Sequence, residues 1–290
     1  WFEPEEYARA AVVYSRAMKA IDPSIQIGLS SYGERPGCKE MGEALPEMLA
    51  ICGKDVDFLA DRRVCEGELD TMLQRMQDYN RSAGTDIRYC ETEWLPLEEP
   101  EDYRDLPYDG HKTKSFMFSK WFYAMNIFRG FMMWQRKGGQ VNFINFNNLA
   151  NTHSQCVVDT PREGVYITAS GRALQFLVHS PARRALKLAG YQPADTDNYI
   201  LQAAWDLERE RLVLYVFNRM AESQTAVFDL AQLQRAFHPV SIRSFSADGP
   251  LEMNTLSAPD AVHLEKDGHS CQIEGNHCVV EIPSYTFLEV

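Results

Sequence analysis

Up to Leu186 the chain's hydrophobic pattern alternates between a helical period and short β-branched runs. After Gly190 the helical period disappears. That switch limits the fold more than any other feature. Pro4-Glu5-Glu6 opens a helix, with Pro early and acids where the helix dipole favours them. Tyr7, Ala8, Ala11, Val12, Ser15 and Met18 give it an apolar stripe, and Asp22-Pro23 ends it. The pattern then predicts strands over 25–29 and 56–61, helices over 41–52 and 68–82, and a strand over 87–94. A long helix over 112–136 stops at Gly138-Gly139, and a strand over 140–146 and a helix over 171–186 follow. Alternation of this kind implies a parallel sheet with crossover helices. The segments 200–206, 211–218, 225–230, 240–246, 263–265, 277–282 and 286–290 read as short strands separated by turns. They predict an antiparallel sandwich or jelly roll. The expected division is 1–189 for the α/β part and 190–290 for the sandwich, with Gly190 and Pro193 at the seam.

A chain of 290 residues suffices for one large domain or two moderate ones. Its formal charge of −12 argues against nucleic acid and against an anionic membrane surface, and suits a neutral ligand such as a sugar. Phe116 to Trp134 is apolar enough to suggest a membrane span. Lys120, Asn126 and Arg129 interrupt it, so a buried helix is expected. The seven cysteines form no CxxC pair and no zinc-ligand spacing with His, so no metal and no cofactor are expected. Scattered cysteines point to free thiols in a reducing, cytoplasmic setting, although Cys271 and Cys278 could meet across adjacent strands. The chain opens on Trp1 with no signal-peptide pattern, which reads as a trimmed or partial chain whose parent could still be secreted.

The strand Ile87-Arg88-Tyr89-Cys90-Glu91-Thr92-Glu93-Trp94 carries the chemistry. Glu91 and Glu93 lie two residues apart, so regular alternation puts both on one face near the strand's carboxyl end. In an α/β barrel that end bears the catalytic groups. Glu93, nearer the end, is the nucleophile candidate, and Trp94 offers an apolar wall for a sugar ring. Glu91 is expected to orient a neighbour by hydrogen bonding, or to be a paired core acid. Asp61-Arg62-Arg63 ends another strand and brings a cation either near the site or into a salt bridge outside it. Asn145, Asn147, Asn148 and Asn151 offer amides to sugar hydroxyls, or simply turn chemistry. His153 and His179 have no supporting constellation, and Gly138-Gly139 lacks a phosphate-loop pattern.

In order and spacing these segments resemble the later half of the α-L-arabinofuranosidases of glycoside hydrolase family 51. EEYARAAVVYSRAMKAIDPSIQIGL is similar to the stretch that follows the family's Gly-Asn-Glu acid/base motif. YCETEW resembles the nucleophile strand, VNFINFNNLANT the eighth barrel strand, and the run from Met253 to Val290 the closing sandwich strands. The resemblance implies the C-terminal half of a (β/α)8 barrel followed by an antiparallel, jelly-roll-like sandwich. It implies a retaining enzyme that removes terminal arabinofuranosyl groups from oligosaccharides or polysaccharides, with Glu93 as nucleophile. Asn148 falls where the family has a substrate-contacting Gln, and Arg62 where it has a His; with Trp94 and Glu91 these are the expected substrate-binding residues. The acid/base would lie before Trp1, so these 290 residues alone are expected to be inactive. Homo-oligomers are a further expectation from the family. Two other readings stand beside this one: a non-catalytic carbohydrate-binding or scaffold protein built on the same barrel, and a same-clan glycosidase acting on another sugar.

Overall fold

In the computed structural model the described residues are 3–30, 41–62, 66–94, 120–146, 149–150, 156–180, 182, 184–194, 197–239, 241–266, 268–269 and 271–290. They form two compact units. One comprises Trp1–Leu95 with Gly139–Phe146, the other Pro96–Gly138 with Asn147–Val290.

The first unit contains α1 (Pro4–Ile21), β1 (Gly28–Ser30), α2 (Met41–Cys52), β2 (Phe58–Arg62), α3 (Glu66–Ala83), β3 (Arg88–Trp94) and β4 (Val141–Phe146). The strands pair in the order β1-β2-β3-β4, all parallel. Each successive strand adds to the same edge, so right-handed crossovers place α2 and α3 on one face. Leu29, Leu59 and Tyr89 are lateral neighbours that point to this covered face, and all are fully buried. Leu45, Met48 and Leu49 of α2 and Leu69 and Leu73 of α3 complete its core. Polar ties fix α1: Tyr7 Oη accepts from the Ser30 N–H at 2.9 Å, Arg16 Nε donates to Asp55 at 2.7 Å, and Lys19 lies 2.7 Å from Asp57. Its buried line runs through Ala8 and Ser15, whereas Met18, expected in the packed stripe, is exposed. On the opposite, open face Gly28 lies under the ring of Phe58, where a Cβ would meet the ring at 2.4 Å.

The second unit contains α4 (Trp121–Arg136), the hairpin β5 (Val158–Asp159) and β6 (Tyr166–Ile167), and α5 (Ala169–Val178). Nine strands follow: β7 (Arg184–Leu186), β8 (Tyr199–Asp206), β9 (Arg211–Asn218), β10 (Gln224–Asp229), β11 (Arg243–Ala247), β12 (Val262–Lys266), β13 (Cys271–Glu274), β14 (His277–Ile282) and β15 (Thr286–Glu289). An antiparallel six-stranded sheet, β12-β11-β15-β9-β8-β7, packs on a three-stranded sheet, β10-β14-β13. Leu214, Val216 and Leu288 meet Phe228, Val280 and Ile282 between the sheets. Tyr215, Phe245 and Phe287 point the other way: Phe245 and Phe287 onto Phe128 of α4 and Phe176 of α5, and Tyr215 onto Phe131 of α4. β9 is therefore buried on both faces. This is why Leu212 to Phe217 reads as one apolar run and not as an alternating strand.

The same aromatic layer places α4 and α5 with the sandwich, so the compact units divide differently from the expected boundary at 189/190. α4 begins at Trp121 among the described residues; 112–119 lie outside them. Among the described residues no helix is long and apolar enough to cross a membrane. The helix expected over 171–186 ends at Val178, and Arg184–Leu186 is an edge strand beside β8. Ser180-Pro181 accounts for the stop, because a proline disfavours helical backbone in the residue before it. Asn254 is buried and ties the turn before β12: its amide donates to Ile167 O at 3.3 Å and accepts from the Val262 N–H at 2.8 Å.

Burial raises the Tyr215 phenol from its ordinary 10.0 to about 12, helped by the Glu289 charge, and burial likewise raises Tyr199 to about 12. Because the folded-state values lie above the unfolded ones, the stabilisation is complete below pH ~10 and is lost as the pH climbs towards ~12. Urea denaturation at stepped alkaline pH is expected to show this decline, and Tyr215→Phe to flatten part of it.

Candidate active site

The chemistry-bearing residues converge at the carboxyl ends of β2 and β3. Their arrangement depends on one extra residue. Asp61 pairs with Glu91, but the next residue of β2, Arg62, pairs with Glu93, so Thr92 has no partner in the ladder. The β4 side shows the same interruption: Glu91 pairs with Ile144, and Trp94 with Phe146. This is a β-bulge. Thr92 Oγ1 donates to the Asp61 carbonyl at 3.0 Å and ties the bulged residue to β2.

The bulge breaks the expected alternation. Ile144 and Phe146 are two residues apart and share a face, so their partners Glu91 and Trp94 share it too. Glu93, between them, points the other way. The expectation that Glu91 and Glu93 project together is thus corrected, and the cause is the inserted Thr92. Glu91 is fully buried on the helix-covered face, and Glu93 is half-buried on the open one. Trp94 packs edge-on against Phe146, ring centroids 5.7 Å apart, and is 7% exposed. It therefore stands on the opposite face from Glu93, the acid for which it was expected to form a sugar wall.

Beneath the strand ends lies a buried polar cluster. Tyr89 Oη donates to Glu91 Oε2 at 3.2 Å, and Asp61, its other hydrogen-bond partner, is also buried. Burial, then the Asp61 and Glu91 charges, hold the Tyr89 phenol well above its ordinary value, so it stays a neutral donor. Tyr89→Phe is expected to cost about 1.5–3 kcal/mol, since a bond to a charged acceptor is lost where water cannot replace it. Urea denaturation measures this; a loss near zero would show that the hydroxyl is not needed there.

The open face around Glu93 is less densely packed. Phe58 and Phe143 meet with ring centroids 6.3 Å apart, and Asn142 Nδ2 approaches the buried Cys90 Sγ at 3.9 Å. Of the acids on the described residues of β1 to β4, only Glu93 lies on this face. The backbone of Arg62 pairs beside Glu93, and its side chain lies outside the described residues, as do Arg63, Asn147, Asn148, Asn151 and His153. Asn145 is an exposed residue of β4. Among the described residues no group of three or more His, Cys, Asp or Glu is arranged to hold a metal ion. Sequence reasoning missed the Asp61–Tyr89 contact. Its signal was present: an acid ending one parallel strand beside a Tyr-x-Glu on the next.

No protein-family model matches the sequence, and no curated protein matches it significantly. Solved structures do. A family 51 α-L-arabinofuranosidase from Bifidobacterium longum superposes with a TM-score of 0.73 at 16% identity, covering 100% of this chain and 63% of that one. A thermostable family 51 α-L-arabinofuranosidase from Thermotoga petrophila gives a TM-score of 0.68 at 15% identity, covering 100% and 62%. A family 30 subfamily 8 xylanase from Clostridium acetobutylicum gives 0.59 at 8%, covering 99% and 60%. The chain therefore spans about three-fifths of the length of the proteins whose fold it shares. At these identities the likeness establishes the fold alone.

Proposed function

We propose that this chain is the nucleophile-bearing part of a retaining glycoside hydrolase of the arabinofuranosidase type. The observation that carries the reading is the Thr92 bulge, which turns Glu93 onto the open face and leaves Glu91 buried. Likeness in fold to family 51 arabinofuranosidases supports it. In this reading β1 to β4 are half of a (β/α)8 barrel. The open face, where Phe143 is 38% exposed, is the barrel interior.

The chemistry requires a carboxylate below the sugar and a proton donor above it. Glu93 attacks the anomeric carbon and forms a glycosyl ester, while a second carboxylic acid protonates the departing oxygen. The same acid, now ionised, deprotonates a water that cleaves the ester. Asp61 and Glu91 cannot supply that acid from the other face. We place it in the part of the fold that precedes Trp1, so the 290-residue chain alone is inactive in this reading. Tyr89, Asp61 and Glu91 hold the strand ends, and Arg62 and Asn148 are the candidates for contact with the sugar.

Likeness to a family 30 xylanase favours a second reading, a same-clan glycosidase acting on β-xylosides. Nitrophenyl glycosides separate the readings in the full-length protein. The α-L-arabinofuranoside is expected to turn over at least about tenfold faster than the β-xyloside. The reverse order supports the xyloside reading, and no turnover of any glycoside supports a carbohydrate-binding scaffold.

A further inference from the structure

We propose that Cys271 and Cys278 form a redox-active thiol pair that closes to a disulfide and staples the edge strand β13. The two sulfurs lie 3.0 Å apart. In the β13–β14 ladder Cys271 pairs with Val280, and Ile273 with Cys278, so the cysteines are diagonal neighbours. Both line a pocket of about 390 Å³ with Leu212, Phe237 and Ile273. Cys271 is half-buried and Cys278 is 1% exposed, so the pocket brings a small oxidant first to Cys271. Burial and the neighbouring thiol hold the Cys278 proton tightly, so Cys278 is not the first to attack; its place 3.0 Å from Cys271 gives it the second step.

The oxidant belongs to the class of low-molecular-weight disulfides. The Cys271 thiolate attacks one sulfur, a mixed disulfide forms and one small thiol departs. The Cys278 sulfur then attacks the Cys271 sulfur, the intramolecular bond forms, the bond to the small thiol breaks, and the departing sulfur takes up the Cys278 proton as the second small thiol. Two protein thiols lose two protons and two electrons, and one small disulfide takes up both to become two thiols. The consequence is mechanical. β13 is the edge of the three-stranded sheet and pairs with β14. Its far end is already fixed by the turn at Gly275, whose φ is 62°. A bond at Cys271 fixes the other end of β13 to β14.

The test equilibrates the full chain across ratios of oxidised to reduced glutathione, quenches with an alkylating reagent under denaturing conditions, and maps peptides. Cys271 and Cys278 are expected to lose alkylation together, in a peptide lighter by two hydrogens, while Cys52, Cys90 and Cys156 remain alkylated. Amide exchange in β13 is expected to slow about tenfold or more on oxidation. Cys278→Ser is expected to stop at a glutathione adduct on Cys271, and Cys271→Ser to leave Cys278 a thiol. Persistence of both thiols at every ratio overturns the proposal. So does accumulation of the glutathione adduct on the unaltered chain, or a disulfide between chains.

Discussion

Glu93→Gln in the full-length protein is expected to lower kcat on nitrophenyl α-L-arabinofuranoside by roughly 10⁴-fold or more, with little change in KM. The amide keeps the size and most of the polar contacts of the carboxylate but cannot form the glycosyl ester. Its loss therefore falls on the chemical step and not on ground-state binding. Glu91→Gln provides the contrast. Glu91 is fully buried and accepts the Tyr89 hydroxyl at 3.2 Å, so its replacement is expected to lower the melting temperature and leave kcat within about tenfold. Equal losses of kcat in the two variants would show that the bulge does not separate the two acids by role. Unchanged turnover in Glu93→Gln would remove Glu93 from the mechanism.

Phe128→Ala is expected to cost about 3–5 kcal/mol and to lower the melting temperature by about 10 °C. Phe128 is fully buried, stacks on Phe287 at 4.1 Å, and meets Phe176 at 5.7 Å and Phe245 at 5.6 Å. It is thus the point where α4, α5 and the outer face of the six-stranded sheet come together. Truncation opens a ring-sized void that rigid aromatic neighbours cannot fill. Thermal denaturation of the full chain measures it. A cost below about 1 kcal/mol would mean that the helices do not rest on this face.

The parts of the structure visible in the sequence are those set by local pattern. The α2 limits, 41–52, and the parallel order of the first strands follow from hydrophobic period and crossover geometry. β9 and β14 likewise match their predicted limits. Three features escaped because partners outside the segment define them. β13, Cys271 to Glu274, is short and half-exposed, and its pairing with β14 defines it more than its own composition. Arg184–Leu186 reads as a helix end until β8 claims it as an edge. The apolar α4 reads as a buried helix, and the rings that bury it, Phe245, Phe287 and Tyr215, are ones no local pattern connects to it.

At the site, Glu93 and its position at a strand end were legible, whereas the direction of its side chain was not. Nothing in Cys90-Glu91-Thr92-Glu93 marks a bulge: there is no glycine or proline, and Thr92 is β-branched, as a regular strand residue would be. Only the offset of both neighbouring ladders reveals it. Glu91 was expected on the face of Glu93 from a regular period of two, and Trp94 beside the sugar from mere adjacency.

The most direct measurement is covalent trapping. The full-length protein is incubated with a 2-deoxy-2-fluoro arabinofuranoside bearing a good leaving group, digested and mapped by mass. Fluorine at C2 slows both steps, and the leaving group restores the first, so the ester accumulates. A single fluoroarabinosyl adduct on the peptide containing Glu93, absent from Glu93→Gln, is the expected result. An adduct on Glu91 or on any other residue, or product formation without any adduct, would contradict the assignment of Glu93 as the nucleophile on the open face.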